Sequence, residues 1–206
     1  TLSIPNPNPP IGRELQRERT ISLPKFALDE PETVRVCALR VQFQPDLTST
    51  STGTGQFDLS EASDTYVFDP TPHDKRYFES HLEALPRYYW FVSNEKIVIE
   101  SDVYPNGDSA AYTLPDSMGY YGESGWYGNS LAARVGGFFT DALELVDSLD
   151  TIPFCEYDVV IIFHAGSDWQ NDIGSLYPEY AELYPDIFIP SPDDLPSVYI
   201  VMPEPI

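Results

Sequence analysis

Three histidines, His73, His81 and His164, are the side chains of this 206-residue sequence best suited to hold a metal ion or to move protons. No two of them have the i, i+4 spacing that puts two imidazoles on one helical face, as in a His-Glu-x-x-His zinc helix. His81 lies among predicted core-facing aromatic residues, and a single histidine at a strand end, such as His164, is typical of a hydrogen-bonded structural residue. The histidine pattern therefore predicts no metal ligands within this chain.

Patterns for nucleophilic catalysis and phosphate binding do not occur in the sequence either. There is no Gly-x-Ser-x-Gly elbow and no glycine-rich phosphate loop. The two cysteines, Cys37 and Cys155, are not part of a Cys-x-x-Cys motif, which argues against a redox or zinc-ribbon role. The sequence leaves open whether they form one disulfide or remain two thiols.

The charge of the chain is strongly negative, with 33 acidic residues against 11 lysines and arginines and a formal net charge of −22. The last basic residue is Arg134, so the stretch from Val135 to Ile206 holds 14 acids and no lysine or arginine. A surface of this sign repels nucleic-acid phosphates, which excludes a nucleic-acid partner. A solvated acidic face, divalent-cation sites and adaptation to salt all remain open.

Hydrophobic periodicity predicts the elements that must position these residues. The segment Asp74–Ser93 has helical spacing, and Pro86 predicts a kink or a fresh helix start there. Its broad apolar face comprises Tyr77, Phe78, His81, Leu82, Leu85, Tyr88 and Tyr89. A second helix is predicted over Leu131–Leu149. Predicted strands are Val34–Phe43, Lys96–Tyr104, Tyr157–Phe163 and Ser197–Met202.

The order strand, helix, strand, helix, strand predicts an α/β (α+β) fold with a mixed twisted sheet and two main helices. The nearly continuous apolar run Tyr157–Phe163 favours a strand buried on both faces, in the middle of that sheet. Residues 1–32, which are rich in proline and charge, are predicted to form an extended arm or leader, and residues 33–206 the body. No apolar run approaches the ~20 residues that span a membrane.

Several segments in order resemble the secreted zinc metallopeptidases typified by immune inhibitor A. They are Val34–Phe43, Tyr88–Ser93 followed by Lys96–Glu100, Tyr112–Pro115 with Met118–Tyr121, Asp158–Gly166 with its strand and His-Ala-Gly end, and Val198–Glu204. The chain departs from the family pattern at Asn94–Glu95, where Tyr–Gly is usual, and at Glu100–Ser101, where glycine is common. It also has Thr151–Glu156 where an acidic stretch often precedes the His-Ala-Gly strand.

The resemblance implies that residues 33–206 form the N-terminal, incomplete subdomain of a zincin-type peptidase domain. In that family the His-Glu-x-x-His helix follows the last matched segment, whereas this sequence stops at Ile206. It implies zinc, and leaves calcium open, for the intact protein, with no catalytic or metal-binding residue in this chain. A secreted, extracellular location is implied as well.

The resemblance also implies a substrate site. A peptide or protein substrate would pair with the last strand through the backbone of Val198, Tyr199, Ile200, Val201 and Met202, beside His164 and Gly166. The alternative interpretation is a degenerate, non-catalytic family member that acts as an extracellular binding or surface-structural module. In a third, a separate C-terminal chain or segment carries the zinc helix. The coding sequence beyond Ile206 distinguishes the three.

Overall fold

The computed structural model describes residues 30–62, 69–122 and 129–199. The predicted arm over residues 1–32 lies almost wholly outside the described residues and stays a prediction. The described helices and strands all belong to the compact unit Pro31–Ile206. They follow one another as β1 (Glu32–Gln42), α1 (Lys75–Leu82), α2 (Ala84–Val92), β2 (Ile97–Tyr104), β3 (Tyr112–Thr113), α3 (Met118–Gly122), α4 (Asn129–Leu149), β4 (Val159–His164), α5 (Ile173–Leu176) and α6 (Pro178–Leu183).

The sheet is parallel throughout its described part, and β1 is its central strand. On one side β1 pairs with β2, from Glu32 opposite Ile97 to Leu39 opposite Tyr104. On the other side it pairs with β4, from Val36 opposite Val159 to Val41 opposite His164. The predicted α/β class is therefore confirmed. The sheet, predicted as mixed, contains only parallel pairs among the described strands.

The short strand β3 pairs with β1 just beyond the end of β2, on the same side of β1. Val41 and Gln42 of β1 pair with Tyr112 and Thr113, and because β4 occupies the opposite side of Val41, β3 must lie on the side of β2. Between β2 and β3 the chain leaves the sheet and returns. We call this excursion, residues 105–111, the detour.

The side chain of Arg40 in β1 holds the detour in place. Arg40 is only 1% exposed, and its guanidinium donates from Nη1 to the Asp108 carbonyl at 2.8 Å and from Nη2 to the Pro105 and Gly107 carbonyls at 2.5 and 2.6 Å. These bonds satisfy backbone oxygens that the detour cannot pair within the sheet. The buried guanidinium of Arg40 thus takes the place of the hydrogen bonds that a neighbouring strand would make to this segment.

Helices cover both faces of β1. One face packs Cys37, Leu39 and Val41 against a cluster that includes Val135, Phe138, Ala142 and Val146 of α4. The opposite face packs Ala38 against Phe78 and Leu82 of α1. The result is a layer of helix on each side of a parallel sheet, as expected for crossover connections.

The helical prediction over Asp74–Ser93 is correct in type and in a fresh helix start close to Pro86, but not in its buried face. The structure has two helices, and the chain turns at Glu83, which leaves Pro86 in the first turn of α2, where a missing N–H is tolerated. Asp74 caps α1 by accepting from the Tyr77 amide at 3.0 Å. Phe78 and Leu82 are buried as predicted, but α2 has no buried residue.

The predicted central position of Tyr157–Phe163 is wrong. The strand forms, as Val159–His164, but it pairs with β1 alone within the described part of the chain. Val159 and Val160 are 42% and 40% exposed. The strand buried on both faces is β1, which has helices above and below and a strand on each side.

A 3₁₀ turn at Phe154–Glu156 lies just before β4. The region after β4 contains further short elements, among them a 3₁₀ turn at Trp169–Asn171. The predicted strand Ser197–Met202 is not seen over Ser197–Tyr199, which have no strand structure. Ile200, Val201 and Met202 lie outside the described residues. The helix predicted over Leu131–Leu149 is confirmed as α4, which begins at Asn129.

Candidate functional site

The carboxyl end of β4 borders a cavity of about 120 Å³ that contains two of the predicted site residues. Ile162 and His164 form the floor on β4, and Val135, Phe138 and Phe139 of α4 form one wall. The other wall is the chain segment Leu195, Pro196, Ser197 and Val198. Crevices at the carboxyl ends of parallel strands are the usual ligand sites of α/β sheets.

His164 lies half-buried among aromatic rings. Its ring centroid is 6.0 Å from that of Phe43 and 6.1 Å from that of Phe138, both edge-on, and its Nδ1 is 3.1 Å from the Ala165 carbonyl. Burial lowers the pKa of His164 below its usual value, although the Ala165 carbonyl and the charges of Asp194 and Asp168 act in the opposite direction. A largely apolar pocket favours the neutral imidazole.

Gly166 closes the His-Ala-Gly turn below the cavity. Its φ of +90° is a conformation that favours glycine, and a Cβ there would lie 2.8 Å from the terminal carbon of Met118 and 3.2 Å from the Thr52 carbonyl. The backbone therefore turns tightly against α3. Gly166 shapes the end of β4 and does not line the cavity described above.

The wall segment Leu195–Val198 is fixed by polar contacts at both ends. Asp194, which is buried, accepts from the Thr52 amide and from Thr52 Oγ1, each at 2.6 Å. Desolvation raises the pKa of Asp194, against the effect of those bonds. On the other side Gln170 forms a reciprocal pair with the Ser197 backbone, with both bonds at 2.8 Å.

A second, open depression of about 400 Å³ lies farther back along β4. Its lining is mainly apolar and comprises Leu143, Glu144 and Asp147 of α4, Phe154, and Val160 of β4. Val160, Ile162 and His164 share one sheet face because successive side chains alternate. Val159 points to the opposite face. The two depressions therefore open at alternate residues of one strand, beside an edge that carries no further strand among the described residues.

The residues present do not fit a zinc site. His73 and His81 pack on Tyr77, with ring centroids at 4.7 and 4.4 Å, and His81 Nδ1 is 2.8 Å from the Tyr77 carbonyl. His164 lies on β4. Within the described ranges no three histidine, cysteine or acidic side chains are grouped so as to hold a metal ion. Cys37, buried in β1, and the exposed Cys155 are free thiols.

The predicted substrate-binding residues divide into three groups. His164 and Val198 line the same cavity, while Gly166 lies beneath it and Tyr199 is 89% exposed. Ile200, Val201 and Met202 fall outside the described residues. The sequence interpretation missed the α4 residues Val135 and Phe138, the depression at Val160, and the open edge of β4. Helical spacing marked the α4 residues, but it assigned them only to a core.

Comparison with protein-family models, with curated proteins and with solved structures finds no match to this chain. The resemblance to the immune inhibitor A metallopeptidases therefore stays a prediction from the quoted segments. No helix in the described part of the chain is both long and apolar enough to cross a membrane.

Proposed function

We propose that this chain is the peptide-holding, N-terminal portion of a secreted zinc-endopeptidase-like protein, and that it supplies no catalytic group itself. An extended peptide would add to the outer edge of β4, with alternate side chains in the two depressions. The observation that carries the proposal is the pair of depressions at alternate residues of β4, a strand whose outer edge carries no further strand among the described residues.

Strand addition explains how such an edge could bind peptides of varied sequence. Main-chain hydrogen bonds along β4 would give affinity, and the depressions would select side chains. Two residues of an extended peptide span ~6.6 Å, the same repeat as Val160, Ile162 and His164 along β4. The proposal thus moves the predicted pairing strand from Val198–Met202 to β4, and it keeps Val198 and His164 as cavity walls.

Hydrolysis in the intact protein would rely on zinc to activate water, and the described residues offer no ligand set for that ion. No catalytic step is assigned to this chain. The alternative proposal, a non-catalytic extracellular binding or surface-structural module, shares the same peptide site. A coding sequence that continues into a His-Glu-x-x-His helix favours the peptidase, and a stop codon near Ile206 favours the module.

Peptide binding can be tested by fluorescence anisotropy with a labelled peptide that has valine at every second position and serine between. We expect saturable binding to the chain, and binding weakened about tenfold by Val160→Asp, which places a charge in an apolar depression. Val159→Asp is the matched control, because Val159 is equally exposed but faces the other side of the sheet. Equal loss in both variants, or no binding by the parent chain, contradicts the proposal.

Catalysis is tested separately by incubating the chain with casein and zinc. We expect no cleavage and no tight zinc binding. Casein cleavage that requires zinc, copurifies with the chain and stops on chelation would overturn the non-catalytic assignment, whatever the result of the peptide titration.

A further inference from the structure

The helix α2 exposes an unusual set of large side chains. No residue of α2 is buried, and Phe91 is 84% exposed. We call the exposed residues Tyr88, Tyr89, Trp90, Phe91 and Val92 the aromatic surface. Aromatic residues at this density are typical of protein interfaces, where a few of them carry most of the binding energy.

A second exposed apolar region covers residues 177–189, which include α6. We call it the acidic surface, because its exposed apolar residues alternate with the exposed acids Glu179, Glu182 and Asp186. The apolar members are Tyr177, Tyr180, Leu183, Tyr184, Ile187 and Ile189. Phe188 supports them from below through ring contacts with Tyr180 and Tyr184 at 5.9 and 6.2 Å.

The charges around the two surfaces are complementary. Residues 75–96, which include α2, hold four of the seven basic residues that follow residue 30 (Lys75, Arg76, Arg87 and Lys96) and three acids (Glu79, Glu83 and Glu95), a net charge of +1. Lys75 is paired with Glu79 at 3.6 Å. Residues 177–189 hold three acids and no basic residue, a net charge of −3. Arg87 is exposed within α2 itself. The stretch from Val135 onward has no lysine or arginine, so the acidic surface offers carboxylates alone.

From this complementarity we infer that the aromatic surface of one copy binds the acidic surface of a second copy. The acidic surface cannot pair with itself without placing like charges together, which costs binding energy. Against the aromatic surface, its carboxylates meet Arg87 and its tyrosine and isoleucine side chains meet aromatic rings. Both surfaces are exposed in one chain, so each remains available to another copy.

Such a contact joins different surfaces and does not close on itself as a two-fold dimer does. It therefore produces a ring or an open chain of copies, whose average mass rises with concentration beyond that of a dimer. Every copy also carries a net charge of −22, and added salt screens that overall repulsion. Because salt also screens the attraction between Arg87 and the carboxylates, the test is made at one fixed, moderate salt concentration.

Sedimentation velocity on the full chain tests the inference. At protein concentrations up to about 1 mM it detects contacts with a Kd as weak as about 1 mM. We expect a mass that rises without a plateau at the dimer. Phe91→Asp and Leu183→Asp should each leave the chain monomeric, because each destroys one of the two surfaces. Leu47→Asp is the control, since Leu47 is 88% exposed and belongs to neither surface.

Mixing the two variants gives the decisive result. The Leu183→Asp chain keeps its aromatic surface and the Phe91→Asp chain keeps its acidic surface, so an equimolar mixture should form a one-to-one dimer and nothing larger. Loss of assembly in Phe91→Asp alone would indicate pairing between two aromatic surfaces and overturn the inference. A parent chain that stays monomeric, but binds neutral phosphatidylcholine vesicles through Phe91, would overturn it in favour of a lipid partner.

Discussion

The strands β1 and β4 show that apolar content and burial are separate properties in this sheet. β4 is the most continuous apolar run of the sequence, yet it lies at an edge with Val159 and Val160 exposed. β1 contains arginines, yet its residues from Cys37 to Val41 are buried, with Arg40 among them. Burial follows from the position of β1 between two strands and two helical layers. The exposed apolar edge of β4 is the position that the proposed peptide site uses.

The largest expected difference concerns the two thiols. Burial, with a smaller contribution from the charge of Asp102, raises the pKa of Cys37 in β1 to about 12, while Cys155 just before β4 is exposed. We expect Cys37 to react with a thiol reagent at least about a thousandfold more slowly than Cys155, because β1 must open first. The reaction can be followed by absorbance at pH 8, and Cys155→Ser should remove the fast phase.

Comparable rates for the two thiols, in a chain that circular dichroism shows to be folded, would contradict the buried position assigned to β1.

The next largest effect is expected from Arg40→Ala. The change removes the guanidinium donor to the Pro105 carbonyl and one of the two donors to each of the Gly107 and Asp108 carbonyls. It also opens a void in the central strand, so the free energy of unfolding should fall by about 3–5 kcal/mol. Urea denaturation measures this. Arg35→Ala in the same strand is the control, because its ion pairs to Glu100 and Glu156 are long, at 3.7 Å, and exposed, and should contribute less than about 1 kcal/mol. Equal losses would contradict the structural role of Arg40.

A smaller contrast is expected when the same residue type is truncated in the two strands. Val41 of β1 is fully buried and Val160 of β4 is 40% exposed. Val41→Ala should therefore lower the free energy of unfolding by about 2–3 kcal/mol, and Val160→Ala by less than about 1 kcal/mol. If Val160→Ala proves the more costly in urea denaturation, the edge position of β4 in the free chain is wrong.

The smallest effect is a dependence on pH that arises at the end of β4. Burial holds the pKa of His164 below that of the unfolded chain, about 6.5, so the unfolded chain binds more protons. The free energy of unfolding is therefore higher above about pH 6.5 and decreases as the pH falls below that value. His164→Gln should flatten this part of the stability curve, which urea denaturation at a series of pH values measures. A slope unchanged by His164→Gln would show that His164 titrates normally.

The strands and helices were largely predictable from the sequence, but their order in the sheet was not. Alternation and β-branched residues located β1 and β2, and helical spacing located α4. The apolar run of β4 does not show that β4 is an edge strand. The order of strands in the sheet depends on the crossover connections, which decide which strand lies between two others. The same limit explains α2, whose aromatic face was predicted to be buried and is exposed.

The candidate site was predictable only in part. The His-Ala-Gly end of β4 drew attention to His164 and Gly166, and the structure places Val198 in the cavity with His164. The depression at Val160 could not be found in the sequence, since it is formed by Leu143 and Phe154, which are distant along the chain. Arg40 had no recognisable signal either, because its partners are backbone carbonyls and leave no side-chain pattern.

The hydrogen bonds from Arg40 to the detour have one more consequence in so acidic a protein. Carboxylates lose their charge as a solution is acidified, but peptide carbonyls do not titrate and a guanidinium stays protonated. The connection between β2 and β3 is thus held by contacts that do not change with pH, and the side chain that donates them is itself buried. Acidification would therefore change the charges on the surface of the molecule, while the connection between β2 and β3 keeps its conformation.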